Sequence, residues 1–352
     1  MAILSEGKES AFLTSQRANV NAIAEHFTKH RRAWAWGICL GLVDLTILAL
    51  VSQQPLNLWW LEALVSLQTQ YAGLAVLGVI AIALLRQRWP LLIALVCVGV
   101  LLAQLFPFYR PVAASARLEP LKVLVANVNI RNLSYDQAIA LVEQEQPDLA
   151  VFIEVDDRWI EQLQVLTQSL PHSAAKPRSS ALPYKIATAP DNPFGLAVYS
   201  RFPLQNPMIK PLGSSSKINI LADWQVGDRP IHLVATHPPP PKNQRLFEQR
   251  NQQLAAIAQY AQEQADESII LLGDLNTPMW SPYFKQLIAA TDLQNARWGQ
   301  GVLLTWPTFL PPFLRIPIDH CLVTPDIQVL DAHVGRNIHS DHLPLVVTLS
   351  VS

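Results

Sequence analysis

The sequence predicts an α/β protein in which two packed mixed β-sheets are flanked by helices and preceded by three transmembrane helices. Three observations carry this expectation. Residues 34 to 109 hold three long apolar runs; from Leu121 onward short apolar runs alternate with helical patterns; and a Gly227-Asp228 hairpin signal lies among the apolar runs. Half of the 352 residues are apolar and only 15% are charged.

The apolar runs are Trp34 to Val51, about Trp60 to Leu85, and Pro90 to Tyr109. Each is near the ~17–25 residues that a spanning helix needs. Asp44 interrupts the first and Glu62 opens the second, whereas Leu91 to Ala103 carries no charge. A signal peptide would account for one run but not three, and the first begins only after a 33-residue leader. Buried core helices are the alternative, and the lengths disfavour them. Lys29, His30, Arg31 and Arg32 precede the first run, Arg86 and Arg88 separate the second from the third, and Ser52 to Trp59 has no Lys or Arg. The positive-inside rule then puts the N-terminus and the Arg86–Arg88 turn in the cytoplasm and everything after Tyr109 on the outer side. Arg110, Arg117 and Lys122 run against that assignment. The expected organisation is a cytoplasmic leader (1–33), a membrane domain (34–110), a linker (111–119) and an extracytoplasmic soluble domain (120–352), with the lipid bilayer as partner. Nothing in the sequence points to a protein partner.

In the soluble part, Leu121 to Val128 reads as a strand and Ser134 to Gln146 as a helix opened by a Ser134…Gln137 capping box. Leu149 to Val155 is the next strand and Trp159 to Leu170 the next helix. Pro171 to Pro193, rich in Ser, Pro and Ala, reads as a loop. Strands are expected at Gly195–Ser200, Ile218–Val226 and Pro230–Thr236, and then a helix from Lys242 to Glu263. Ile269 to Leu272 is a buried strand ended by Gly273, with Asp274 and Asn276 at its exit. Tyr283 to Ala290 is helical, and strands at Ile318–Val323 and Leu345–Leu349 follow. Acidic residues outnumber basic ones beyond residue 110, which is not the footprint of a tight nucleic-acid binder. Cys39, Cys97 and Cys321 match neither a zinc site nor a disulfide framework.

Polar residues recur at the ends of the apolar strands: Asn127 and Asn129, Glu154, Thr236-His237, Asp274 and Asn276, Asp319-His320, and Ser340-Asp341-His342. Each has a structural explanation, as a turn residue, a cap or an internal hydrogen-bonder. Ligands of open sheets gather at strand ends, however, and several acids facing one crevice repel unless a cation or proton is shared. If the extended backbone persisted beyond Asp274, period two would put Asp274 and Asn276 on one side.

In this order the motifs resemble the endonuclease/exonuclease/phosphatase superfamily, the DNase I-like fold. The resemblance rests on Asn127 in Val125-Ala126-Asn127-Val128-Asn129, Glu154 after Leu149-Ala150-Val151-Phe152-Ile153, and His237 in Val234-Ala235-Thr236-His237. It continues through Asp274 and Asn276 in Gly273-Asp274-Leu275-Asn276-Thr277, Asp319 in Pro317-Ile318-Asp319-His320, and Ser340-Asp341-His342; Ser200 to Leu204 matches a segment outside the site. It implies a four-layered sandwich and divalent-metal-dependent cleavage of phosphodiesters, with Mg²⁺ as the cofactor and Mn²⁺ as its substitute. Glu154 would be the principal metal ligand, with Asn127 beside it and Asp341 supporting that side. Asn129 is neutral where some relatives place a further acid. His342, oriented by Asp319, would touch the scissile phosphate or act as acid/base. Asp274 would orient or deprotonate water, Asn276 would hold a phosphate oxygen, and His237 would bind phosphate or assist the leaving group. The expected substrate is nucleic acid or a phospholipid headgroup, and the weighed alternative is an inactive membrane protein that keeps the fold for binding. A serine triad built on Ser340 and His342 lacks a nucleophile elbow.

Overall fold

The computed structural model of the protein describes residues 30–111, 119–168, 181–189, 195–213, 217–264 and 267–351. The leader up to residue 29 and most of the linker, 112–118, lie outside them. The chain divides into two units.

The first unit comprises the residues up to Ala49 together with Thr69–Gln104. It holds most of α1 (His30–Val51), α3 (Gln68–Leu84) and α4 (Arg88–Tyr109). α1 and α4 have 22 residues each, or about 33 Å of helix at 1.5 Å per residue, enough for a hydrocarbon core of about 30 Å. α3 is shorter and forms a bent pair with α2 (Trp59–Val65), so two helices are long and apolar enough to cross a membrane, and three if the pair is one span. Leu77, Leu84, Leu92 and Val96 are exposed on α3 and α4, an arrangement suited to lipid rather than water.

The second unit comprises Leu50–Gln68 and Leu105–Ser352. Its first strands are β1 (Leu121–Asn127), β2 (Leu149–Ile153), β3 (Tyr184–Thr188), β4 (Leu196–Ser200), β5 (Leu204–Pro211) and β6 (Ile218–Val226). The remainder are β7 (Arg229–Thr236), β8 (Ile269–Asp274), β9 (Gln294–Asn295), β10 (Asp319–Val323), β11 (Ile327–Val334) and β12 (Leu345–Val351). They form two six-stranded sheets, in the orders β11-β12-β1-β2-β4-β3 and β5-β6-β7-β8-β10-β9. β1 with β2 and β7 with β8 are parallel, and the other pairings are antiparallel.

Both sheets are therefore mixed, as expected. Their inner faces meet through Val123, Val125, Val151, Ile153 and Val198 on one side and Leu233, Ile270, Leu272, Cys321 and Val323 on the other. α5 (Tyr135–Glu145) and α6 (Asp157–Gln162) cover the outside of the first sheet with Ala138, Leu141, Val142 and Trp159. α7 (Gln244–Glu263) and α8 (Pro282–Thr291) cover the second with Leu254, Ile257, Phe284 and Leu287. This is a helix–sheet–sheet–helix sandwich. Burial on both faces explains why β2 and β8 read as unbroken apolar runs, and each buried large aliphatic contributes about 1.5–3 kcal/mol.

Several local expectations change. Helix α5 starts where anticipated, but Ser134 makes no side-chain cap; its Oγ lies 3.0 Å from His339 Nδ1 and the Gln137 amide turns to Asp136. The helix anticipated at Trp159–Leu170 starts at Asp157, because Asp156 accepts from the Trp159 N–H, and it tightens into a 3₁₀ turn at Leu163–Thr167. Edge strand β3 occupies part of the stretch anticipated as loop at Pro171–Pro193; residues 171–180 and 190–193 lie outside the described residues. β5, β9 and β11 have no counterpart among the expected strands. β5 is an exposed edge containing Pro207, and β11 carries a bulge between Val329 and Asp331, so neither presents a clean period of two.

Candidate active site

Strand direction assembles the site. β1 and β2 run parallel while β12 runs against β1, so Asn127, Glu154 and the Ser340–His342 turn lie at one end of the first sheet. β7 and β8 run parallel while β10 runs against β8, which pairs Asp274 with Asp319 and places His237 next to them. Face-to-face packing brings the two ends together: Asn127 Nδ2, from the first sheet, donates to Asp274 Oδ2, from the second, at 3.1 Å. Close strand approach at this point requires a glycine. A Cβ on Gly273 would lie 2.1 Å from the Thr236 carbonyl oxygen.

Around that link the polar groups are shared. Asn127 Nδ2 also donates to Glu154 Oε1 at 3.1 Å and lies 3.5 Å from His342 Nε2. His342 Nδ1 donates to Asp319 Oδ2 at 2.9 Å, and its Nε2 is 3.7 Å from Asp274 Oδ2. His237 Nε2 sits 3.6 Å from Asp274 Oδ2 and 3.9 Å from Glu154 Oε1. Ser340 Oγ donates to the Asn127 carbonyl and accepts from the His342 N–H, tying the last turn to β1. Asp341 accepts from Asn129 Nδ2 at 2.7 Å and Trp306 Nε1 at 3.1 Å. Asp274, Asp319, His237 and His342 are buried, whereas Glu154 and Asp341 are partly exposed, so the site opens on the Glu154–Asp341 side.

The electrostatics follow from this burial. Removal from water pushes the Asp274 carboxyl well above the carboxylate range, although His342 opposes the shift. Burial works against a charged His342, but Asp319 and Asp274 overcome it and raise the imidazole above its ordinary value. Asp319 is likewise penalised by burial, and the charge and hydrogen bond of His342 more than offset that, holding it low. The dyad is thus an imidazolium clasped by a carboxylate. Burial, followed by the charge of His342, depresses His237 to about 3, so it is neutral. Burial raises Glu154.

Two groups of donors could hold a cation. Asp274, Asp319 and His342 place one ligand atom each within 4.8 Å of the others. Asp319 and His342 already bond each other, however, and an imidazolium has no lone pair to give, so this trio suits proton handling better. Glu154, with Asp341 near enough to raise its pKa, offers hard carboxylate oxygens at the open side, and these fit a divalent cation of the Mg²⁺ type. Asn127 meets Glu154 here as a donor, and its Oδ1 accepts from the Asn129 N–H at 3.0 Å. Ligation through that oxygen would require release of the Asn129 amide.

Asn276 differs from the geometric expectation. The extended backbone stops at Asp274; Asn276 is left-handed, with φ of 50°. The turn, rather than strand periodicity, keeps the two residues together: the Asn276 N–H donates to Asp274 Oδ1 at 2.9 Å. Asn276 Nδ2 donates to the Pro238 carbonyl, which leaves one N–H for a ligand. Glu154 and Asn129 are also left-handed, with φ of 61° and 58°, so strained backbone recurs around the cluster. Trp306 joins the site without being among the residues expected there. Its indole holds Asp341 and its ring lies 6.3 Å from that of His342; in the sequence it stands in Thr305-Trp306-Pro307, a segment that looks like one of the family's, in the apolar loop ahead of Asp319.

Comparison with known proteins accords with this geometry. The profile described as "Endonuclease/Exonuclease/phosphatase family" matches residues 124–342. Among solved structures, an endonuclease/exonuclease/phosphatase from Beutenbergia cavernae DSM 12333 is 19% identical, with a TM-score of 0.52 over 67% of this chain and 72% of that one. One from Bacteroides vulgatus is 16% identical, with a TM-score of 0.52 over 67% of this chain and 100% of that one. D. rerio TDP2, complexed with a single-strand DNA product, is 15% identical, with a TM-score of 0.53 over 66% and 100% of the two chains. No curated protein matches the sequence. With the profile spanning both sheets, from β1 to the turn before β12, the chain belongs to the endonuclease/exonuclease/phosphatase family.

Proposed function

We propose that the protein is a membrane-anchored, divalent-metal-dependent phosphodiesterase acting on nucleic acid or on a phospholipid headgroup. The observation that carries this reading is the contact of Asn127 with Glu154, Asp274 and His342, with Asp319 behind the imidazole. Phosphoryl chemistry needs charge neutralisation, an aligned nucleophile and proton management, and this cluster holds groups for each.

In this reading protonated His342 presents Nε2–H to a phosphate oxygen or leaving group, while Asp319 fixes the ring and favours its charge. Asp274 Oδ1 is occupied by the Asn276 N–H, so Oδ2 is the atom that orients or deprotonates water. Asn276 uses its remaining N–H on a phosphate oxygen. Neutral His237 binds phosphate or assists the leaving group. Glu154 is the principal ligand of the cation, with Asn127 beside it and Asp341 supporting that side; when bound, the cation neutralises phosphate charge.

The location is part of the proposal. The Ser52–Trp59 connector and the sandwich belong to one unit, so they share a side of the membrane. Crossings between them must then be even in number, which α3 and α4 together satisfy and α4 alone does not. That supports three spans, with the catalytic sandwich on the outer side by the positive-inside rule.

The test is a panel of DNA, RNA, phospholipids and bis(p-nitrophenyl) phosphate, assayed on the full chain with Mg²⁺. DNA comes first because the D. rerio relative holds a DNA product. Cleavage of at least one substrate, lost in EDTA and restored by Mg²⁺ or Mn²⁺, is expected. Turnover that persists in EDTA would exclude the metal-dependent reading, and no turnover on any substrate would favour the binding protein.

A further inference from the structure

Helix α2 carries an acid that the apolar run around it does not explain. Glu62 is only 4% exposed. Its Oε1 accepts from Arg250 Nη1 at 2.7 Å and from Thr277 Oγ1 at 2.6 Å, and its Oε2 accepts from Ser281 Oγ at 3.2 Å. Arg250, on α7, is fully buried beside the rings of Phe247 and Tyr283, and the same Nη1 donates to the Asn276 carbonyl at 3.2 Å. His320, whose ring packs against Phe284 of α8, donates from Nε2 to the Thr277 carbonyl at 2.8 Å. Burial, with Arg297 beside it, keeps His320 neutral, at about 3, so Nε2 carries the proton while Nδ1 faces Arg297 at 3.3 Å. The carbonyls of Asn276 and Thr277, two and three positions after Asp274, are therefore each held by a buried side chain, and all of these residues lie in the second unit.

A buried guanidinium without its carboxylate is costly, and so is a carboxylate in an apolar helix without its guanidinium. A staple meant only to hold α2 needs nothing beyond the Glu62–Arg250 pair. Here the pair also reaches the carbonyl of Asn276 and the hydroxyl of Thr277, which set the turn carrying Asp274 and Asn276. We propose that Glu62 is a positioning residue for that turn, supplied by the start of the second apolar run, so that the working site includes residues well ahead of the family match at 124–342. The proposal rests on the reading of Asp274 and Asn276 as the water- and phosphate-handling pair.

The test uses the full chain with Glu62→Ala, Glu62→Gln, Thr277→Val and the double variant Glu62→Leu/Arg250→Met. Three quantities are read: kcat and KM on bis(p-nitrophenyl) phosphate with Mg²⁺, melting temperature, and amide exchange of the segment Gly273–Met279. Glu62→Ala is expected to lower kcat at least tenfold with KM within twofold, and to speed exchange in the segment. Glu62→Gln, which keeps the acceptor, recovers part of both. The double variant removes the stranded charge with its partner and regains melting temperature but not kcat. A folded Glu62→Ala with wild-type kcat and exchange overturns the proposal, as does a double variant that regains kcat along with melting temperature. Should Glu62→Ala not fold, Glu62→Gln and Thr277→Val decide: slowed turnover with faster exchange supports the proposal, and wild-type values for both refute it. If the wild-type chain cleaves nothing, the phosphodiesterase reading alone falls, and exchange still decides whether Glu62 holds the turn.

Discussion

At the scale of single residues, the site works through divided atoms. Asp274 divides its oxygens, Oδ1 accepting from the Asn276 N–H and Oδ2 from Asn127, and Asp319 accepts from His342 at Oδ2. In the proposed mechanism His342→Ala removes the cationic group that faces Asp274, and Asp274→Ala removes the carboxylate that orients or deprotonates water. Each is expected to lower kcat for phosphodiester cleavage by about 10²–10⁴ in a chain that still folds. Asp319→Asn should fall in the same range, since it keeps the shape of the dyad but not the charge that holds the imidazolium. A folded His342→Ala variant with full activity would sink these assignments. The residue types were legible in the sequence because acids, amides and histidines at the ends of apolar strands have few purely structural uses together. Their mutual geometry was not. The Asn276 conformation and the direction of the Asn127 amide are set by a turn hydrogen bond and by the Asn129 N–H, neither of which has a periodic signature.

At the scale of elements, the two central parallel pairs, β1–β2 and β7–β8, set the geometry, and Gly273 is where β7 and β8 approach too closely for a side chain. A side chain there would meet the Thr236 carbonyl within 2.1 Å, so β7 and β8 would have to part just before Asp274. Gly273→Ala is expected to destabilise the chain by about 1–3 kcal/mol or more. It should also reduce turnover, because the shift displaces Asp274 against Asn127 and His342. Thermal melting and kcat on the same preparation check this; wild-type values for both would show that the strands absorb the methyl group. Central strands were readable because burial on both faces demands unbroken apolar runs. Edge strand β5 is largely exposed and β3 only partly buried, and their pairing is fixed by neighbours rather than by their own composition. The Glu62–Arg250 link was beyond reach for a similar reason: its partners are 188 positions apart, and in sequence Glu62 reads only as a blemish in an apolar run.

At the scale of the whole molecule, the contact between Glu62 and Arg250 constrains topology as well as the site. Protein groups 2.7 Å apart cannot lie on opposite sides of a bilayer, so the segment carrying Glu62 and the sandwich must share one compartment. Had α4 alone crossed the membrane between them, they would be separated. In the proposed topology both α3 and α4 cross and return the chain to the side it left; α3, with 17 residues, counts as a span only as part of its bent pair with α2. The proposed orientation adds the charge pattern, which by the positive-inside rule would put Arg86 and Arg88, between α3 and α4, in the cytoplasm. The expected outcome is that protease added to intact cells cleaves the sandwich or the Ser52–Trp59 connector, while the Arg86–Arg88 turn is cut only after the membrane is opened. Cysteine labelling gives the same answer by an independent chemistry: a thiol introduced at the exposed Asn57 should react with an impermeant maleimide in intact cells, and one introduced at Gln87 should not. Protection of the sandwich in intact cells with labelling at Gln87 would invert the orientation while leaving three crossings. Reaction at Asn57 with a protected sandwich would instead break the shared compartment, and with it the contact through which Glu62 reaches the catalytic turn.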